Sequence, residues 1–268
     1  IRGLGEVDLA IDVGDVRTLV RSWETARQRI ESASPTAFAE LFEQLLRAHA
    51  VAAGFADRMY DLDARGAARL VQLGFDEENV ARQSTSVDPE VLVDILRDHV
   101  AGMKRAIDAC GDGARVTEPL LHLLHGVLTR HQLTTSGIDE KGWRRRIPLT
   151  KGAYRDTPLP DREPDASCPP EAIRGEMDRL LGWLTEYSGH EDPVLVAAWF
   201  VHAFLRVEPY QDGNGRVALT VMNLLLIRSG LLPVAIGEKE RRDFLSALTA
   251  ADGGDLQPLV RFIGGLEK

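Results

Sequence analysis

Two cysteines, Cys110 and Cys168, are all that 268 residues contain. They form no CxxC pair and no metal-ligand spacing, which excludes a disulfide-dense scaffold and suits a reducing compartment. Long apolar runs are missing too, so no segment reads as a membrane span. Positive charge is in deficit, with 32 basic against 41 acidic residues and a net charge of -9. That balance disfavours long-range attraction to nucleic acid or to anionic lipid. No repeat of solenoid period is present. These absences leave a soluble globular protein, expected in the cytoplasm, with no nucleic acid and no membrane as partner.

What is present is helical periodicity. Val16, Leu19, Val20, Trp23, Ala26 and Ile30 recur at three- and four-residue steps, and Ser34-Pro35 restarts the pattern through Met59. Helices are expected over about Pro89–Ala109, Thr117–His131 and Pro169–Tyr187, and again from Asp192-Pro193. Asp88 and Thr117 offer side-chain acceptors for first-turn amides, and proline suits the first helical position. The stretch Gly142 to Pro160 is different, rich in Arg, Pro, Gly and Thr, and reads as a loop or short hairpin. Val194–Val207 and Val217–Ile227 are apolar on nearly every side, and a helix apolar all round is buried all round.

Between those two runs lies Glu208-Pro209-Tyr210-Gln211-Asp212-Gly213-Asn214-Gly215-Arg216. Gly213 and Gly215 allow positive φ and close approach of a ligand, and a helix opening at about Asn214 to Arg216 points free amides outward. With the positive end of the helix dipole behind them and Arg216 beside them, those amides suit a phosphate. Asp212 adds a hard oxygen of the kind that holds magnesium, which takes only one or two protein ligands. A calcium loop starting at Asp212 fails, with Val217 and Asn223 where glycine and glutamate belong. A Walker loop fails for want of Gly-Lys-Ser/Thr. A hairpin turn at Asn214-Gly215 and a purely structural turn remain as alternatives.

The string His202-Ala-Phe-Leu-Arg-Val-Glu208-Pro209-Tyr210-Gln211-Asp212-Gly213-Asn214-Gly215-Arg216 closely resembles the signature of the Fic family, HPFxDGNGRxxR between two core helices. Five consecutive residues, Asp212 to Arg216, match. Leu120–Arg130 resembles the family's first core helix, and Trp143–Pro160 stands in the place of its flap, the hairpin that docks the target. The resemblance covers roughly Thr117 to Phe262. It implies an all-α fold, a Fic-type helical core with a short β-hairpin flap over residues 111–268 and an N-terminal helical extension over residues 1–110. It also implies transfer of AMP from ATP to protein hydroxyls. Asp212 then becomes the ligand of Mg2+, Gly213, Asn214, Gly215 and Arg216 bind the nucleotide phosphates, and a protein target docks on the flap at about 142–160.

Two positions depart from that signature. Glu208 stands where the family has its catalytic histidine, and Leu219 where a second arginine holds the terminal phosphate. Glutamate serves as a general base, yet its ordinary pKa of about 4.3 gives it less driving force than histidine. Loss of a charge-assisted phosphate contact costs about 1.5–3 kcal/mol. Ser84–Pro89 resembles the upstream inhibitory segment of many Fic proteins, with Asp88 for glutamate, and it equally suits an ordinary helix start. Two readings follow: a divergent enzyme with Glu208 as its catalytic residue, or a pseudoenzyme that senses nucleotide or binds protein through Arg144, Arg145, Arg146 and Arg155. His122 and His125, three apart on an apolar helix, are expected to be structural.

Overall fold

In the computed structural model the described residues are 14–56, 59–111, 113–138, 141–160, 167–189 and 191–266. The chain is mostly helical, in the order α1 (Gly14–Ala33), α2 (Pro35–Ala56), α3 (Ala64–Leu73), α4 (Pro89–Cys110) and α5 (Glu118–Leu128), then β1 (Thr134–Ile138) and β2 (Arg144–Pro148), then α6 (Pro170–Tyr187), α7 (Pro193–Val207), α8 (Asn214–Arg228), α9 (Glu238–Asp252) and α10 (Gln257–Leu266). The capping chemistry is where the sequence puts it. Asp88 accepts from the amide of Glu90 at 3.1 Å, Thr117 from Leu120 at 3.4 Å, and Asp192 from Val194 at 3.0 Å and Leu195 at 3.3 Å. Each such cap contributes about 1 kcal/mol to its helix.

α7 and α8 form the centre. Both are buried along nearly their whole length and pack on each other, with α6, α9 and α10 around α7 and α2, α4 and α5 against α8. Asn223 ties this centre to the chain that follows it. Its Oδ1 accepts from the Val234 amide at 2.7 Å, and its Nδ2 donates to Val234 O at 3.0 Å and lies 2.9 Å from His49 Nδ1 on α2. His99 on α4 donates from Nδ1 to Ala50 O at 2.9 Å. Burial pushes His49 down to about 4 and His99 down to about 3, so both imidazoles are neutral at physiological pH.

The hairpin lies upstream of its expected place. β1 and β2 pair antiparallel with Thr134 opposite Pro148 and Ile138 opposite Arg144, while 149–160 carries no strand. β1 reads Thr-Thr-Ser-Gly-Ile, too short and polar to advertise a strand, and its pairing depends on a partner ten residues away. Asp88 serves as the cap of α4 and makes an exposed ion pair with Arg82 at 3.7 Å. The upstream elements that pack on α8 are α2, α4 and α5. No described helix is long and apolar enough to cross a membrane.

Candidate active site

The loop between α7 and α8 opens on a strained residue. Glu208 caps the C-terminus of α7 with φ 45° and ψ 63°, the only positive φ outside glycine among the described residues. Left-handed backbone costs a side-chain-bearing residue about 1–2 kcal/mol, which is why glycine or asparagine usually ends a helix this way. Its amide donates to Phe204 O at 2.9 Å, and its carbonyl accepts from Arg155 Nε at 2.7 Å. Arg155 is 3% exposed and also donates to Thr157 O at 3.0 Å, Cys168 O at 2.5 Å and Val207 O at 3.4 Å. Its backbone amide donates to Pro209 O at 2.8 Å. A guanidinium on these carbonyls satisfies the acceptor end of α7 and complements its dipole. Arg155 therefore belongs to the interior and not to an arginine surface of the flap. Arg144, Arg145 and Arg146 are exposed.

The turn closes through Asn214, whose Oδ1 accepts from the Tyr210 amide at 2.9 Å while its Nδ2 donates to Tyr210 O at 2.8 Å. The amide side chain expected on phosphate is thus engaged with the loop's own backbone. Gly213, at φ 76° and ψ 8°, is the N-cap of α8 and brings no side chain to the helix end. A Cβ there would meet Thr129 Cγ2 at 3.0 Å and Arg216 Nη2 at 3.2 Å. Gly215 differs from the expectation: it sits in the first turn of α8 with helical backbone, and Gly213 alone of the two takes positive φ. The first-turn amides of an α-helix have no acceptor within the helix, so this end faces the loop as a positive pole.

Asp212 stands at that pole. Its Oδ1 accepts from the Gly213 amide at 2.7 Å, and its Oδ2 from Gln132 Nε2 at 2.7 Å and Thr135 Oγ1 at 3.0 Å. Burial pushes its carboxyl up, but the Arg216 guanidinium 3.7 Å away and these three bonds outweigh it and hold the group below its ordinary range. Arg216 is 1% exposed and lies beneath the loop, donating to Leu128 O at 3.0 Å and Gln132 Oε1 at 2.6 Å. Arg216 thus braces Asp212 and the C-terminus of α5. Leu219, one turn along α8, is 3% exposed in the apolar core.

His125 joins three parts of the site. The Gly152 amide donates to its Nδ1 at 2.9 Å, which leaves the proton on Nε2 to be donated to Asp212 O at 3.0 Å. The ring stacks on Tyr210 with centroids 4.0 Å apart, and burial, the leading cause, pushes its pKa down to about 4. His122 sits 3.1 Å from the Tyr210 hydroxyl through Nδ1. Both histidines are engaged by other residues of the protein, His122 by Tyr210 and Glu118 and His125 by Gly152 and Asp212. Gln132, Thr135 and Arg155 carry no sequence signal for their roles, since their partners lie far along the chain.

Comparison with known proteins agrees with this geometry. Residues 121–226 match the Fic/DOC family. A protein adenylyltransferase Fic from Nematostella vectensis is 34% identical over 119 residues, which are 43% of this chain and 27% of that protein. Its counterpart from Drosophila willistoni is 41% identical over 88 residues, 32% of this chain and 18% of that protein. The aligned part is thus about a quarter or less of the length of these curated relatives. Among solved structures, a Fic domain containing signaling protein from Bacteroides thetaiotaomicron shares the fold at a TM-score of 0.69, with 17% identity over 94% of this chain and 92% of that one. Fic-1 from C. elegans does so at 0.65, with 20% identity over 94% and 68%. The loop between two buried helices, the family match and the shared fold converge: residues 121–226 of this chain form a domain of the Fic/DOC family.

Proposed function

We propose that this chain is a divergent relative of the protein AMP-transferases, with the α7–α8 loop holding the phosphates of a magnesium-bound nucleotide and with impaired or altered nucleotidyl transfer. The observation behind this reading is the N-terminus of α8: a helix end capped by a bare left-handed Gly213, beside a carboxylate held ionised, at the junction of the two buried central helices. Anions bind such helix ends through amides and dipole. The first-turn amides of Asn214, Gly215 and Arg216 would take the phosphates, with the Arg216 charge acting from beneath. Among the described residues no group of three or more His, Cys, Asp or Glu could hold a metal. A single ionised carboxylate nevertheless fits magnesium, which takes one or two carboxylates together with substrate phosphates. A bound magnesium would supply neutralising charge to the polyphosphate. Asp212 would hold and orient it.

In the transfer this implies, a protein hydroxyl oxygen forms a bond to the α-phosphorus of ATP, the bond to the bridging oxygen breaks, and pyrophosphate leaves. Glu208 takes the hydroxyl proton. Its strained backbone supports that role, because glycine would relieve the strain and only a needed side chain offsets it. The flap at about 142–160 receives the protein target. We further propose the division into an extension over 1–110 and a core over 111–268. It is supported by two apolar clusters, one running from Ala50 to Leu96 and the other from Ala106 to Ile263.

Leu219 favours a second reading, a catalytically inactive domain that binds nucleotide or protein. Its buried apolar side chain gives nothing to a terminal phosphate. Transfer of labelled AMP to the protein or to a lysate separates the two. The native chain should transfer little, and Glu208→His with Leu219→Arg should raise transfer, with Asp212→Ala silent. Strong native transfer abolished by Glu208→His would make Glu208 an evolved base. No transfer by either form would favour the inactive reading.

A further inference from the structure

We infer that the flap accepts an acidic extended protein segment, so that the hydroxyl to be modified is flanked by aspartate or glutamate. This rests on the reading that the flap docks the target, and it adds the chemistry of what docks. From Thr134 to Lys151 the chain carries five basic residues, Lys141, Arg144, Arg145, Arg146 and Lys151, against two acidic ones, Asp139 and Glu140. The whole protein is at -9, so the hairpin inverts the sign of the molecule locally. Lys141 and the three arginines are exposed. Arg146 donates to Thr134 O at 2.9 Å and to Thr134 Oγ1 at 2.9 and 3.1 Å, and Arg144 to Pro160 O at 2.5 Å. The Thr134 oxygens are uncharged and orient the Arg146 guanidinium plane. Arg155, buried at the end of α7, is not part of this surface.

The geometry suits an extended partner. The described sheet has two strands, which makes β2 an edge strand, and edge strands take a third strand by backbone pairing while alternate side chains give specificity. One face of the hairpin reaches the motif loop, because Thr135 on β1 donates to Asp212. A strand laid beside β2 places every second side chain on that face and the residues between them on the other, next to Arg144 and Arg146. Ile138 and Trp143, 52% and 66% exposed, add an apolar contact at the tip end. Opposite charges across such a surface select partners and speed encounter, and like charges reject them.

The test is fluorescence anisotropy with the full chain and synthetic peptides, each with one threonine flanked by glutamates, by glutamines or by lysines. The glutamate peptide should bind about tenfold tighter than the lysine peptide at about 30 mM salt, with the gap closing toward about 300 mM. Arg146→Glu and Arg144→Glu should erase the preference. Arg146→Lys should keep it and Arg146→Gln should weaken it, which separates charge from a damaged hairpin. Equal binding of the three peptides, or a preference that survives both glutamate variants, overturns the inference. So does a single-stranded oligonucleotide of the same charge that binds as tightly as the glutamate peptide. The readout is binding alone, so failed AMP transfer with intact acid preference would sink the enzymatic reading and leave this one standing.

Discussion

The motif loop and the flap meet at Asp212, yet they are held in opposite ways. In the loop almost every polar group is engaged. Asn214 clasps Tyr210, Asp212 takes three donors, Arg216 lies beneath at 1% exposure, and Arg155 and His125 fasten neighbouring segments to it. The flap is a two-stranded hairpin whose second strand is nearly all exposed. An isolated hairpin is marginally stable and adapts to what lies beside it. A preorganised cradle suits a ligand of fixed shape such as a polyphosphate, and an adaptable edge suits a variable segment.

Acid should act on the braced region most strongly. His49, His99 and His125 have folded pKa values pushed down to about 4, 3 and 4 by burial; His125 bonds the loop itself, while His49 contacts Asn223 of α8 and His99 the α2 backbone. Unfolded histidines bind protons near pH 6.5 while these do not. Stability is therefore intact above about pH 6.5 and is lost as pH falls from there toward 4, by on the order of a few kcal/mol per buried histidine. Urea midpoints at pH 7.5, 6 and 5 should fall steadily, and a triple His→Gln variant that still folds should flatten the trend. A midpoint independent of pH over that range would contradict the burial of these rings.

Two glycines of nearly equal φ offer a cleaner comparison. Gly213 has φ 76° and a Cβ would meet Thr129 and Arg216, whereas Gly142 in the flap has φ 79° with nothing within 4 Å. Gly142→Ala should cost about 1–2 kcal/mol from the backbone alone. Gly213→Ala should cost about 1–3 kcal/mol more through forced displacement of its neighbours, and should lose nucleotide binding. Equal costs in denaturant titration would show that the loop is no tighter than the flap.

The smallest expected effect has an informative sign. Glu208→Gly should stabilise the chain by about 0.5–1 kcal/mol by relieving left-handed strain, less the added freedom of the unfolded chain. It should also end any transfer. A destabilised Glu208→Gly would mean that the carboxylate holds structure together and is not kept for chemistry.

Some of this was legible in the sequence for plain physical reasons. α7 and α8 announce themselves as all-apolar runs, Asp192-Pro193 marks the entry to one, and Gly213-Asn214 marks the opening of the other. The Fic-type fold followed from the residues between them. Long-range assignments did not follow. β1 carries no alternation of apolar residues, so its pairing is known only once β2 is beside it. Arg155 and Arg216 look like surface or ligand arginines until the fold buries them at the ends of α7 and α5. His125 could be placed on an apolar face, but its partners are 27 and 87 residues away.

The most direct measurement is calorimetric titration of the native chain with ATP, with and without magnesium, beside Asp212→Asn. One saturable site is expected, weakened when magnesium is withdrawn and indifferent to magnesium in Asp212→Asn. Absence of ATP binding in both conditions, or binding unaltered by both magnesium and the Asp212 change, would contradict a magnesium-nucleotide site at this loop.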